Sequence, residues 1–531
     1  MKDSKQILSE SSTILVVSTI ITKIISAIFK IPLASDYFLG NVGFGYYSVA
    51  HDLFSPFYIL AISGLPVALA KITAEFLAKK SYYQVKNNFF TAKKLFIILG
   101  FLFSIILAVL SIPLILRKDG IDNIYSILAV VPSVFLCFII SVYRGYFEGF
   151  NNMYPSAISK IIEAIVKLVL GLLLSFIVIK TTKNPALAAG VAMLSVSFGT
   201  LLSTLYLKIK FKRNNPLDDI SYNIQNTDQS LSLKTVFIIA IPFIISSLAA
   251  SIVSLVDVFT IDIHFANASE EYINVLENMY FGGKVDFNIA TYLYGVKSKA
   301  FTIYNLIPIL TMSLGIAALP VLTQSLVNND ISALKNNTRY ILKLLFCVTL
   351  PAGIGLFVMG QPIMNLLYSS KELLSGNLLS IYGIAAMFAG VAIPLTTVLQ
   401  ALNFHYKALT HIIIGIIIKI IFNIVLLIFP NINIYSAPLG TLACYFYMTV
   451  AFLLIISFKI KKIAIIKIVI KPFAAALLCG VTALIISNLS NSILFIILAI
   501  LAAGLVYLVF LSIFRTFTKS EIQGLIKFKN C

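Results

Sequence analysis

Apolar runs of about 20 residues recur fourteen times along this chain, and they constrain its fold more than any other feature. A run of that length crosses the hydrocarbon core of a bilayer as an α-helix. Charged residues make up only 11% of the chain, whereas soluble domains carry roughly 25%. We therefore expect an all-α, multi-pass membrane protein. The predicted spans are 12–34, 46–70, 94–116, 124–143, 155–179, 185–207, 234–261, 291–325, 339–360, 378–401, 408–429, 437–458, 463–487 and 492–514.

Two of these runs need a further comment. The first, 12–34, is long enough to span and lacks a small-residue cleavage pattern, so we expect it to remain as the first membrane helix rather than a signal peptide. The eighth, 291–325, is alternatively a shorter span followed by a surface helix.

The distribution of lysine and arginine predicts the orientation of the helices. With the N-terminus in the cytoplasm, the loops and ends on that side hold about 28 of the 40 basic residues, and the opposite side holds about seven. Both termini are therefore expected in the cytoplasm. This topology and contact with anionic lipids explain the net charge of +19, so no nucleic-acid partner is needed.

An internal repeat divides the predicted helices into two lobes. Segment 143–171, moved along the chain by an offset of 252, matches 399–423, and segment 45–70 aligns with 295–320 at an offset of 250. Six helices per copy is an even number, so the copies are related by an axis along the membrane normal. The matched polar and glycine pairs are Glu148 with Gln400, Asn151 with Asn403, Tyr154 with Tyr406, Lys167 with Lys419, Gly45 with Gly295 and Ser63 with Ser313.

The repeat predicts four parts of the chain. Residues 1–207 form an N-lobe of six helices and residues 234–460 a C-lobe of six, joined by a cytoplasmic linker at 208–233. Residues 461–531 add two helices and a cytoplasmic tail.

Two stretches of the sequence resemble a known family. "YRGYFEGFNNMYPSAISKIIEAIVKLVLG" (143–171) and "GFGYYSVAHDLFSPFYILAISGLPVALAK" (43–71) are similar to polysaccharide exporters of the MurJ-like and stage V sporulation protein B-like branch. This branch belongs to the multidrug/oligosaccharidyl-lipid/polysaccharide (MOP) superfamily. The resemblance implies a bacterial cell-membrane protein with a V-shaped pair of lobes around a central cavity. It also implies a lipid II flippase, or an exporter of a related lipid-linked saccharide, that works as a monomer among membrane lipids.

The residues themselves predict a polar cavity. In the first span, Thr19, Lys23, Ser26 and Lys30 recur every three to four positions and form one polar stripe. A lysine at the bilayer centre costs about 2.5–3.5 kcal/mol on insertion scales, so Lys23 must face water or an anion.

Basic groups on two further spans lie at a similar predicted depth. His51 and Asp52 are on the second span, and Lys297 and Lys299 are on the eighth. Ammonium groups suit the oxygens of a diphosphate. The resembled flippases use basic residues, largely arginines, on these same spans; lysine replaces arginine here on the first and eighth, which removes bidentate recognition. The alternative is that Lys23 or Lys297 only pairs with Asp52.

Charges on the fourth, fifth and eleventh spans have plainer interpretations. Glu163 and Lys167 are four residues apart in the order that favours an ion pair within one helix. Arg144 and Glu148 are expected to fix the turn between the fourth and fifth spans, with a gate as the alternative. Lys419 has no acid on its helix, so its partner lies elsewhere, such as a lipid phosphate.

A coupling ion and three functions remain open. Asp257 is a candidate ligand for a coupling monovalent cation, Na⁺ or H⁺, by resemblance alone; capping the helix end is the alternative. No Walker loop, zinc spacing or catalytic triad stands out, so neither an enzyme nor an organic cofactor or metal centre is expected. The candidates are a flippase of polyprenyl-diphosphate-linked saccharides, an ion-coupled multidrug antiporter and a non-transporting scaffold. A basic cavity argues against the antiporter, whose substrates are usually cations.

Overall fold

Long α-helices connected by short turns make up nearly all of the described chain. The computed structural model describes residues 4–116, 121–213, 233–368, 373–460, 464–490 and 492–517. Its helices are α1 (Ser4–Leu33), α2 (Gly40–Ala78), α3 (Tyr82–Ile115), α4 (Asn123–Gly149), α5 (Tyr154–Thr182), α6 (Pro185–Arg213), α7 (Leu233–Ala266), α8 (Glu270–Phe281), α9 (Ile289–Tyr304), α10 (Leu306–Val327), α11 (Ile331–Val358), α12 (Gly360–Tyr368), α13 (Leu373–Ala401), α14 (His405–Leu427), α15 (Ser436–Lys459), α16 (Ile465–Leu489) and α17 (Ile493–Ile513).

The predicted all-α membrane fold is confirmed. Within the described ranges, twelve helices are long and apolar enough to cross a membrane, and a bent pair, Ser251–Ala266 with Glu270–Phe281, adds a thirteenth candidate. The predicted eighth span is one 39-residue segment, Ile289–Val327, formed by α9 and α10 with a break at Asn305. The predicted first span, 12–34, lies on α1, a helix of 30 residues.

Exposed apolar side chains identify the surfaces that face lipid. On α17, Leu494, Leu501, Leu505 and Leu508 are 60–77% exposed. A soluble monomer rarely exposes contiguous apolar surface of this kind, whereas the hydrocarbon core of a bilayer accommodates it.

Contacts divide the chain into two compact units, Met1–Ser298 and Lys299–Cys531. In the first unit α2 packs on α4, α6 and α7, while α5 packs on α1 and α6. In the second unit α13 is central, with α10, α11 and α15 against it, and α16 packs on α11 and α17. The division falls inside α9. The predicted linker, 208–233, begins with the last turn and a half of α6, and its residues 214–232 lie outside the described part of the chain.

The same turn occurs in both copies of the internal repeat. α4 ends at Gly149 and α13 at Ala401, 252 residues later. Asn151 and Asn403 follow with positive φ values of 57° and 62°, a left-handed conformation that asparagine tolerates better than most residues. The N–H of Asn151 donates to the carbonyl of Glu148 at 2.9 Å, and that of Asn403 donates to the carbonyl of Gln400 at 3.0 Å. The predicted asparagine match therefore marks a conserved backbone geometry within this one molecule.

Helices α2 and α9 cross with their backbones in contact, at two repeat-matched glycines. A Cβ atom added to Gly45 would lie 2.1 Å from the carbonyl oxygen of Thr291, and one added to Gly295 would lie 1.9 Å from that of Asn41. Both distances are far below van der Waals contact, so only glycine fits at either position. This crossing brings the start of α2 beside the start of α9 and so positions the polar residues that follow on both helices.

Candidate functional site

The polar stripe on α1 is formed as the periodicity predicts. The hydroxyl of Thr22 donates to the carbonyl of Thr19 and that of Ser26 to the carbonyl of Thr22, each at 2.8 Å. These bonds satisfy the hydroxyls within the helix. Lys23 is exposed and Lys30 is half-buried.

Asp52 on α2 is held by two neighbours. Its side chain is 10% exposed. The hydroxyl of Tyr294 on α9 donates to Asp52 Oδ2 at 2.7 Å, and Nδ1 of His51 lies 3.4 Å from Oδ1. A buried carboxylate needs such donors, because an unsatisfied one costs several kcal/mol. Tyr294 was not identified from the sequence, although its place three residues before Lys297 puts both side chains on one face of α9.

Asp257 and Lys297 form a buried ion pair between α7 and α9. Lys297 Nζ lies 3.1 Å from Asp257 Oδ2, and both side chains are 0% exposed. The ammonium also lies 4.4 Å from the centroid of the Tyr294 ring. The sequence left open a pairing of Lys297 with Asp52; the ion pair is formed with Asp257 instead, and Asp52 attracts Lys297 without a direct ion pair.

Lys167 joins the basic groups of α1, which the sequence interpretation missed. Its ammonium lies 5.0 Å from the centroid of the Phe29 ring, one residue before Lys30 on α1. Lys30 and Lys23 repel it, while Glu163 attracts it without forming a direct ion pair, and His51 interacts with both Lys30 and Lys167. We call these four residues, Lys23, Lys30, Lys167 and His51, the basic cluster. Asp52 attracts Lys30 and partly balances the cluster.

The predicted ion pair between Glu163 and Lys167 is wrong. Glu163 Oε2 accepts a bond of 3.1 Å from Nη2 of Arg144 on α4, and Nε of Arg144 donates to Ser159 Oγ at 2.9 Å. Arg144 is 2% exposed and needs a counter-charge, which Glu163 on the neighbouring helix supplies. Lys167 turns instead towards Phe29. Arg144 thus ties α4 to α5, while Glu148 contributes its backbone carbonyl to the turn between them.

Two more lysines lie in the second compact unit. Lys299 is 1% exposed, and its ammonium is 5.6 Å from the centroid of the Tyr368 ring on α12. Lys419 is 0% exposed and donates to Thr441 Oγ1 at 2.9 Å. A lipid phosphate is therefore not the partner of Lys419, because its ammonium is enclosed between α14 and α15 and does not reach the lipid-facing surface.

The basic cluster has the composition of an anion site. The other two membrane acids near it, Asp257 and Glu163, already have cationic partners, which leaves Asp52 against three lysines and a histidine. Within the described ranges, neither Lys23, Lys30 nor Lys167 forms an ion pair, and no group of acidic, histidine and cysteine side chains is suited to hold a metal ion.

Comparison with known proteins identifies the family. Residues 8–326 match the sequence family described as polysaccharide biosynthesis protein, which is more than half of the chain. The chain belongs to this family. A second family, MatE, matches residues 295–425.

Two bacterial proteins of known name are similar to this chain over 98% and 82% of its length. Stage V sporulation protein B of Bacillus subtilis (strain 168) is 27% identical over 544 residues, covering 98% of each chain. Lipid II flippase MurJ of the same organism is 23% identical, covering 82% of this chain and 80% of its own. A solved structure of lipid II flippase MurJ in an inward closed conformation has a TM-score of 0.67 at 14% identity, covering 94% of this chain and 98% of its own. The fold is thus that of a MOP-superfamily membrane transporter, as the resemblance implied.

Proposed function

We propose that this protein moves polyprenyl-diphosphate-linked saccharides, lipid II or a related cell-surface polysaccharide unit, from the inner to the outer leaflet of the bacterial cell membrane by alternating access. The observation that carries the proposal is the excess positive charge of the basic cluster. Placing cationic side chains without ion-pair partners among membrane helices costs free energy. An anionic ligand that neutralises these side chains offsets that cost.

The diphosphate is the part of such a substrate that the cluster recognises. Lys30 and Lys167 lie on two packed helices and so approach one ligand from two sides, with Lys23 about two turns before Lys30 on α1. Charge-assisted hydrogen bonds from ammonium groups to phosphate oxygens are among the stronger polar contacts. His51 adds a donor, and Asp52, which accepts a hydrogen bond from Tyr294, balances only part of the positive charge. Lys297 is committed to Asp257, so we assign it no direct contact with the diphosphate; Lys299 remains a separate candidate in the second unit.

Lipid II flippase MurJ and stage V sporulation protein B support the proposal through sequence similarity over most of the chain. The second candidate is an ion-coupled multidrug antiporter, which the match to the MatE family favours. A net positive cluster repels the cationic substrates of such antiporters, so the flippase is preferred. Orientation with both termini in the cytoplasm remains a prediction from the positive-inside rule.

The membrane potential is the proposed drive. A diphosphate carries about two negative charges, and moving them out of a cell with a negative interior is worth about 2.3 kcal/mol per charge per 100 mV, or on the order of 4–5 kcal/mol. The lysines that bind the diphosphate cancel part of this charge on the outward step. The same potential favours inward displacement of the emptied basic cluster, so the complete cycle keeps its drive.

Genetic complementation tests the proposal. The chain is expressed in a strain depleted of its lipid II flippase, beside the variants Lys30→Gln and Lys167→Gln and the control Lys180→Gln, an exposed lysine at the end of α5. Each lost charge-assisted bond is worth about 1.5–3 kcal/mol, so outer-leaflet substrate should fall about 10-fold or more in each cluster variant and stay unchanged in the control. Full complementation by both cluster variants would refute the assignment of the cluster to substrate.

A further inference from the structure

The environment of Lys297 is that of a bound cation rather than of a ligand-binding lysine. Its ammonium lies between a carboxylate oxygen of Asp257 at 3.1 Å and the ring of Tyr294 at 4.4 Å, with no exposed surface. A carboxylate and an aromatic face are two groups that attract a desolvated cation most strongly. The hydroxyl of Tyr294 is bonded to Asp52, and this bond fixes the ring in the position that the ammonium needs.

We propose that Lys297 acts as a built-in cation for Asp257, and that removing its charge converts the place it fills into a site for a soluble monovalent cation. The proposal concerns the intact protein's ion dependence and does not rest on the identity of its substrate.

Because Asp257 is buried, the place beside its carboxylate accepts one positive charge and excludes a second. Asp257 is 0% exposed, and an uncompensated carboxylate in such a place is strongly unfavourable, so a cation beside it is strongly favoured. Na⁺ and the ammonium of Lys297 cannot occupy one carboxylate oxygen together, because two like charges a few ångströms apart repel strongly at low dielectric. In the native chain the covalently attached cation wins, since it is present at every Na⁺ concentration.

Other charges around the pair favour the same arrangement. Asp52 on α2 interacts electrostatically with Lys297 and strengthens the attraction for a cation. Lys30 on α1 repels Lys297 but is itself balanced by Asp52. Ser254 on α7, three residues before Asp257 and so on the same side of the helix, is also buried. Its hydroxyl oxygen and the carboxylate oxygens are the kind of ligands that hard cations prefer.

This arrangement changes the interpretation of Asp257. As a ligand for a coupling ion, Asp257 would make the chain respond to Na⁺. With Lys297 in place, the ion pair already provides the neutral state that Na⁺ binding would produce, and the native protein should show no Na⁺ dependence at this position.

Thermal stability of the full-length protein in detergent tests the proposal. Melting is compared in NaCl and in choline chloride at the same ionic strength, so that general screening is equal. A cation that binds only the folded state raises the melting temperature according to its concentration over its dissociation constant. Lys297→Met, which is close in length and uncharged, should melt several degrees higher in NaCl than in choline chloride. The native protein and Lys297→Arg should melt at the same temperature in both.

Two controls separate this effect from a general response to lost lysines. Asp257→Asn combined with Lys297→Met removes both charges and should abolish the Na⁺ response. Lys419→Met removes another fully buried lysine, whose bond goes to the hydroxyl of Thr441, and should create none.

Either of two results would overturn the proposal. One is stabilisation of the native protein by Na⁺ that disappears in Asp257→Asn. The other is a Lys297→Met protein that does not respond to Na⁺. Such a protein either melts at the same temperature in both salts or folds in neither salt while the double variant folds. Recovery of folded Lys297→Met only when NaCl is present would support it. Because no transport is measured, these outcomes are independent of whether the chain carries a diphosphate-linked substrate.

Discussion

Removing one partner of the Arg144–Glu163 ion pair should destabilise the first unit strongly. The side chains are 2% and 12% exposed, and the guanidinium also donates to Ser159. Breaking a buried pair by deleting one charge costs about 3–5 kcal/mol, because the remaining charge has no counter-ion. Glu163→Leu should therefore lower the free energy of unfolding by about that amount, towards the lower end because Glu163 retains some access to solvent.

The matched double variant isolates the pair. Arg144→Met with Glu163→Leu removes both charges and keeps the side-chain volumes similar, which for buried pairs is often neutral or stabilising. We expect most of the lost stability to return, so the double-mutant cycle should give a coupling energy of about 3 kcal/mol. Reversible unfolding in mixed SDS micelles, followed by circular dichroism, measures all four proteins. Lys208→Met, at an exposed position on α6, is the control.

A specific pattern would contradict this reasoning. If Glu163→Leu costs under about 1 kcal/mol, or if the double variant is no more stable than Glu163→Leu alone, the buried charge is not the source of the effect. Loss of stability in Lys208→Met would point to a general response to removed cations.

Three further results are expected. Gly295→Val should overpack the crossing of α2 and α9 and cost about 1–3 kcal/mol in the same unfolding assay, whereas Gly355→Val, with no atom within 4 Å of an added Cβ, should not pay this overpacking cost. Single cysteines in 79–94 should react only with thiol reagents that enter the cytoplasm and those in 262–290 from outside; the reverse labelling would invert the topology. Collapse of the membrane potential by a potassium ionophore at constant ATP should quickly lower outer-leaflet substrate, and undiminished transport that stops only without Na⁺ would replace the electrical drive with ion antiport.

The sequence predicted the fold well because each membrane span must satisfy its own backbone hydrogen bonds, which makes span length and composition decisive. The predicted span 155–179 lies within Tyr154–Thr182, and the predicted span 492–514 matches Ile493–Ile513 to one residue at each end. The match of Asn151 with Asn403 was also found from the sequence, since a left-handed position restricts residue type and therefore leaves a trace in both copies.

The partners of the charges were harder to predict. The rule for residues four apart correctly placed Glu163 and Lys167 on one side of α5, but Arg144, 19 positions away in sequence, competes more strongly for Glu163. Depth in the membrane placed Lys297 near Asp52 but gave no information on rotation about the helix axis, and Asp257 was considered only as an ion ligand or a helix cap. Choosing between two acids requires the packing of their helices, which no local pattern contains.

The crossing of α2 and α9 makes the two copies of the repeat depend on each other. Gly45 meets Thr291 and Gly295 meets Asn41, and these residues are matched pairwise at the offset of 250. Two equivalent contacts related in this way have the pattern of an isologous interface in a two-fold dimer, although both lie within one chain. In a dimer of identical chains, one glycine position serves both sides of such a contact. Here the two sides are separate positions, so a substitution at either Gly45 or Gly295 is enough to force the two helices apart.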